Sequence, residues 1–126
     1  MSVPFQIGID IVSVPRLRQA IERQGLHFLD RIFTKAEQAY CNRKRNKFEN
    51  YAARFAAKEA VIKAKKGGKS RYAFRDIEVV RDRKGAPSIE LKSEARKKLG
   101  ISPTAKFELT MAHERDYAIA AVVLFE

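Results

Sequence analysis

One cysteine, Cys41, is all that 126 residues supply, so the chain cannot close an internal disulfide, and no second cysteine stands at metal-ligand spacing. That usage fits a reducing compartment, and Cys41 is given no role. Long apolar runs are missing too: nowhere do about 18 apolar residues follow one another, which leaves no candidate for a membrane-spanning helix. The opening MSVPFQIGIDIV lacks the basic start and small-residue cleavage site of a secretory signal. The expectation is a cytoplasmic protein away from membranes. Internal repeats, low-complexity tracts and long linkers are likewise missing. Acidic residues are few against the bases, 15 Asp and Glu facing 26 Lys and Arg, for a net charge of +11. Such a surplus raises the local concentration of anionic partners. Nucleic acid, a phosphate-rich cofactor and an acidic protein all fit it, as does a basic surface with no specific partner.

What is present is enough for one core. With 45% hydrophobic residues, a chain of this length fills one domain and is too short for two ordinary ones, so residues 1–126 are expected to form a single domain. From Phe5 to Val12 the side chains alternate: Phe5, Ile7, Ile9 and Ile11 share one face, expected to be core, and Gln6, Gly8, Asp10 and Val12 share the other. Ser13 and Pro15 signal a helix start, and the basic segment RLRQAIERQG reads as a helix ended by Gly25. TKAE at Thr34 to Glu37 has capping-box spacing, predicting a second helix to about Arg45. A third and longest helix is predicted from about Phe48 to Lys66. RDIEVVRDRKGAPSIEL then reads as strand, turn at Lys84-Gly85 and strand, with Pro87 at the turn's end. A short helix capped by Ser93 and closed by Gly100 follows, then two strand-like runs about a polar tip, His113 to Asp116. The class is α+β, a largely antiparallel sheet packed against a long helix.

The long helix carries the chemistry. Tyr51, Phe55 and Ile62 fall on one stripe with Phe48 nearby, while Ala52, Ala53, Ala56, Ala57, Ala60 and Ala64 cover most of another side. Alanines let a second backbone approach closely, so this helix is expected to be covered on more than one side. Glu59 lies at the border of the two faces and Lys63 one turn further along it. A carboxylate where burial is expected is costly unless it is paired or bound to a cation. A helix-surface pair with Lys63 at i,i+4 satisfies that need. The other reading requires a second carboxylate in an equally odd place, and Asp10 is one, inside an apolar strand with Gly8 as its same-face neighbour. Magnesium takes oxygen ligands from one or two carboxylates plus waters and phosphates, so Asp10 and Glu59 suit it, with Lys58, Lys63 and Arg54 placed to neutralise phosphate oxygens. Asp10 taken alone reads equally as a strand-end residue bonding a local backbone amide.

Four motifs in order, GIDIV, RFAAKEA with a lysine four residues after its glutamate, DRKGAP before a strand, and the closing LTMAHERDYAIAAVV, resemble the holo-acyl-carrier-protein synthase family of small 4′-phosphopantetheinyl transferases over nearly the whole chain. The resemblance implies that family's fold and the transfer of 4′-phosphopantetheine from coenzyme A to a serine hydroxyl of acyl carrier protein. That reaction releases adenosine 3′,5′-bisphosphate and supports fatty acid biosynthesis. Carried onto this chain, it implies Asp10 and Glu59 as Mg²⁺ ligands and catalytic residues. Lys63 would face the pyrophosphate and the leaving group, while Arg54 and Lys58 would help hold coenzyme A. Arg83, Lys84, Gly85 and Pro87 would line its adenosine end, with His113 near its phosphates. The resemblance further implies a homotrimer with active sites between protomers, which would account for a helix covered on both faces. It also implies a basic recognition helix for the acidic carrier protein, with Arg16, Arg23 and Arg31 as charged contacts and Phe28 as apolar anchor. Two features depart from the pattern: Ala112 and Glu114 flank His113 where many relatives have hydroxyl residues, and KKGGKS adds lysines to a glycine loop.

Chemically, attack of a hydroxyl on a phosphoryl group asks for positioning and charge neutralisation more than covalent catalysis. The proton acceptor is left open among Glu59, a metal-bound water and His113. The competing function class is a small basic nucleic-acid-binding domain, suggested by basic and aromatic residues mixed at YCNRKRNKFENY. It leaves Asp10 and Glu59 unexplained. A third class is a non-catalytic module that docks an acidic protein.

Overall fold

The computed structural model describes residues 4–65 and 74–126. The chain runs β1 (Phe5–Ser13), α1 (Val14–Gln24), α2 (Leu26–Ile32), α3 (Lys35–Asn42) and α4 (Lys47–Ala64). A 3₁₀ turn (Phe74–Asp76) then leads into β2 (Ile77–Arg81), β3 (Pro87–Leu91), α5 (Ser93–Leu99), β4 (Lys106–His113) and β5 (Tyr117–Phe125). The helix starts follow local chemistry. Ser13 accepts the backbone N–H of Arg16 with Pro15 in the first turn, and Thr34 and Glu37 exchange both bonds of a capping box. Gly25 closes α1, but the chain turns directly into α2, a segment to which the sequence pattern assigns no element. Gly100 closes α5 in the left-handed conformation its lack of a Cβ permits. Ser93 is the first residue of that helix; Lys92 holds the cap position and its side chain makes no capping bond.

Two antiparallel sheets form: a three-stranded one in the order β1-β5-β4, and the hairpin β2-β3. Helix α4 lies on the inner face of the larger sheet, its alanines against Ala118, Ala120, Val122 and Leu124 of β5, all at most 1% exposed. Its other sides meet α1, α3 and β2. The alanine face thus finds its cover within one chain, and covering by a neighbouring protomer is not needed to explain it.

The strand β1 reverses its expected polarity. Gly8, Asp10 and Val12 face α4, whereas Ile7, Ile9 and Ile11 are 58%, 56% and 62% exposed. Register places Ile7 opposite Val123 and Ile11 opposite Ile119, and the Phe5 ring lies tilted against Phe125, so the outer face of β1 and β5 is apolar, while β4 adds Lys106, Glu108 and Thr110 to it. Close approach decides the matter. A Cβ on Gly8 would stand 1.9 Å from the carbonyl oxygen of Ala60, so only glycine lets the strand lie against this helix. Alternation shows that a strand has two faces; it does not show which one meets the helix.

Candidate functional site

The first cluster forms where β1 crosses α4. Asp10 sits opposite Ala120 on the inward face of β1, two residues beyond Gly8. Because Gly8 brings the strand against the helix, Asp10 comes within reach of the last helical turns, and Lys63 Nζ donates to its Oδ1 at 2.8 Å. Lys63 is therefore bonded to Asp10, not confined to a local pair with Glu59. Nor does Asp10 serve as a local backbone cap. Glu59, one turn before Lys63, is half-buried. Burial and then the charge of Asp10 push its carboxyl above the usual range, with Lys63 pulling the other way. The Lys63 ammonium is raised by its bond to Asp10 and by the charges of both carboxylates, against a smaller burial effect. Asp10 bonded to the one ammonium, with the Glu59 carboxylate close enough to feel both charges, leaves an excess of negative charge on hard oxygen donors. That is the chemistry a magnesium ion accepts, and Asp10 and Glu59 fit it.

A groove of about 400 Å³ opens beside this cluster, lined by Asp10 and Glu59 together with Arg16, Leu17, Phe28 and Phe55. Arg16 and Arg23, seven residues apart, lie on one exposed face of α1, and Arg31 is exposed on α2. Phe28 differs from its expected role as a projecting anchor: it is buried as part of the groove floor. The apolar side chain that does project is Leu26, 66% exposed at the start of α2.

Lys58 also departs from expectation. Its side chain is fully buried, and Nζ is spent on Glu37 Oε1 at 2.8 Å and the carbonyls of Phe74 and Ile77 at 2.8 and 2.6 Å. An ammonium has three donors, and all three have acceptors inside the fold, so it has none to offer a cofactor. Burial lowers its pKa and Glu37 opposes that shift. Arg54 is 2% exposed, stacked 4.1 Å over Tyr40, with Nη1 donating to the Asn50 carbonyl at 3.4 Å. Its Nε has no acceptor among the described residues, an orphaned donor in a cation-rich corner. Arg81 and Lys44 also stand over Tyr40, at 4.6 and 4.8 Å. The sequence reading missed these two, because a tyrosine collecting cations from a helix, a strand and the turn after α3 has no linear signature.

The hairpin tip is well ordered by its own bonds. Asp82 Oδ1 accepts from the backbone of Lys84 and Ala86 at 2.9 Å, Arg81 donates to the Gly85 carbonyl, and Gly85 adopts φ 86°. Arg83 and Lys84 are exposed there, and Pro87 opens β3. His113 lies elsewhere. It ends β4, with Nδ1 2.8 Å from Glu49 Oε1, and Ala112 and Glu114 beside it bring no hydroxyl. Glu49 precedes Glu59 by ten residues on α4, roughly 15 Å along the axis at 1.5 Å per residue. Within one chain, His113 stands against the first turn of α4, away from Glu59, and two residues out of register with Asp10 across β5. Lys65 bonds Glu126 at 3.4 Å; the rest of the lysine-glycine loop, 66–70, falls outside the described residues.

Residues 6–122 match the family described as the 4′-phosphopantetheinyl transferase superfamily. The chain is 42% identical over 117 residues to the holo-[acyl-carrier-protein] synthase of Halothermothrix orenii, covering 93% of this chain and 94% of that one. It is 41% identical over 118 residues to that of Clostridium tetani, with 94% and 93% covered. Among solved structures it superposes on an ACPS-CoA complex from Chronobacterium ammoniagenes with a TM-score of 0.83 at 32% identity, covering 96% of each chain. The Helicobacter pylori holo-[acyl-carrier-protein] synthase in complex with coenzyme A gives 0.80 at 34% identity, covering 94% of this chain and 98% of that one.

Proposed function

The chain belongs to the holo-[acyl-carrier-protein] synthases of the 4′-phosphopantetheinyl transferase superfamily, enzymes that move 4′-phosphopantetheine from coenzyme A to acyl carrier protein, and from that premise we propose how its own residues do so. The carrying observation is the convergence of Asp10, Glu59 and Lys63 beside a groove that Asp10, Glu59 and Arg16 all line. Asp10 and Glu59 hold Mg²⁺, which when bound neutralises charge on the coenzyme A pyrophosphate. Lys63, half-exposed on the same rim, faces the phosphate oxygens and stabilises charge developing on the departing bisphosphate. The acceptor of the carrier serine's proton is one of Glu59, which lines the groove, a metal-bound water and His113.

Arg54, with Arg81 and Lys44 about Tyr40, forms a cationic corner for a phosphate of coenzyme A. Arg83, Lys84, Gly85 and Pro87 at the hairpin tip line its adenosine end. Arg16, Arg23 and Arg31 meet the acidic carrier protein, with Leu26 as the projecting apolar contact. The active unit is a homotrimer built on the outer face of the large sheet. Burying an isoleucine contributes about 1.5–3 kcal/mol, and β1 alone leaves three of them exposed. That assembly lets His113 of one protomer complete the carboxylate site of its neighbour, since within one chain it bonds Glu49, roughly 15 Å along α4 from Glu59. No helix of the described residues is long and apolar enough to cross a membrane; the cytoplasmic setting of this proposal follows from family membership.

The test is incubation with coenzyme A, Mg²⁺ and apo carrier protein, followed by intact-mass measurement. The carrier gains one phosphopantetheine with the wild type and none with folded Asp10→Ala or Glu59→Ala variants. Full activity in both variants overturns the carboxylate assignment.

A further inference from the structure

The hairpin β2-β3 is the least supported sheet of the fold. Two strands alone are marginal in water, and β2 has no strand on its outer edge among the described residues. On that edge, the carbonyl of Ile77 accepts from Lys58 Nζ at 2.6 Å, and the N–H of Val79 donates to Glu37 Oε2 at 2.7 Å. Residues two apart in a strand present their backbone groups on the same edge, so one side-chain donor and one acceptor stand where a third strand would. Lys58 Nζ and Glu37 Oε1 close the arrangement at 2.8 Å. Lys58 also holds the Phe74 carbonyl just upstream, and Thr34 Oγ1 donates to Glu78 Oε2 at 2.7 Å. Glu37 comes from the capping box of α3, and Lys58 directly precedes Glu59 on α4.

We propose that the buried Glu37–Lys58 pair is a positioning unit for the reaction: acting as a surrogate strand, it fixes the hairpin to α4 and so sets the distance between the hairpin tip and the Asp10–Glu59–Lys63 cluster. It rests on the assignment of the tip to coenzyme A made above. Neither residue touches substrate; both act through β2. The tip holds the adenosine end and not the reacting atoms, so displacing it removes binding made equally in the ground and transition states, and the cost falls on KM.

The test separates placement from folding. In the Glu37→Gln/Lys58→Met double variant no lone charge is left buried, yet the Phe74 and Ile77 carbonyls lose their donor. With saturating carrier protein, KM for coenzyme A rises about tenfold or more while kcat stays within about threefold. Leu99→Ala on α5, matched for loss of Tm, leaves that KM within about twofold. A milder pair keeps the question open to test should the double variant not fold: Thr34→Val raises the KM about threefold and Thr34→Ser restores it. An unchanged KM in the folded double variant, or an equal rise in Leu99→Ala, overturns the proposal; so does an unchanged KM in Thr34→Val. The tip is tested apart, by Arg83→Ala/Lys84→Ala: no rise in KM there refutes the tip assignment, whereas a rise there without one in the pair variants refutes only the positioning unit.

Discussion

Replacing Gly8 with alanine adds one methyl group at the point where the site is assembled. The new Cβ would meet Ala60 O at 1.9 Å, Ala64 N at 2.7 Å and Ala60 C at 2.9 Å, all backbone atoms of α4. No side chain can swing aside, so relief requires β1 and α4 to separate by more than 1 Å, taking the overpacking cost to the upper end of its range, about 3 kcal/mol. Unfolding entropy of about 2.1 cal/mol/K per residue over 126 residues converts that to a fall of about 11 °C in Tm, read by calorimetry at matched protein concentration. The same separation draws Asp10 away from Lys63, now 2.8 Å distant, so kcat falls as well, by about 100-fold for a misplacement near 1 Å. A variant melting within about 2 °C of wild type with unchanged kcat would refute the claim that the strand-helix contact assembles the site.

Three further outcomes are expected. Because its folded-state pKa is raised, Glu59 contributes stability only below the ordinary carboxyl value and loses it as pH rises through the raised one. In the metal-free protein Glu59→Gln therefore melts higher than wild type at pH 7, with the gap closing below about pH 4; a lower melting point at pH 7 contradicts this. Ile9→Lys places a charge on the exposed apolar sheet face, and sedimentation velocity should show monomer where the wild type shows trimer, whereas an intact trimer argues for another interface. Reversing Arg16 and Arg23 to glutamate lowers kcat/KM for carrier protein about tenfold or more at low salt, with a smaller deficit near 0.5 M salt, and no change at low salt removes α1 from the recognition surface.

Local chemistry in this chain is readable without coordinates. The Thr34–Glu37 capping box, the Ser13-Pro15 helix start, the Gly100 stop and the turn at Lys84-Gly85 each follow from one residue's bonding or backbone freedom, and each lies where the sequence predicts. The motif order likewise announces the family, and Asp10, Glu59 and Lys63 stand out as charges among apolar neighbours. What the sequence by itself does not determine is direction. Lys58 and Glu59 are adjacent on one helix, yet a rotation of about 100° between them sends one into the core against Glu37 and the other to the groove. The two faces of β1 are equally regular in sequence, and only the bulk of α4 against Gly8 decides that the isoleucines turn outward. His113 and Glu59 look like parts of one site in a linear list of motifs, but opposite ends of α4 hold them apart. Which way a side chain points depends on the neighbour that excludes the alternative, and that neighbour arrives only with the tertiary fold.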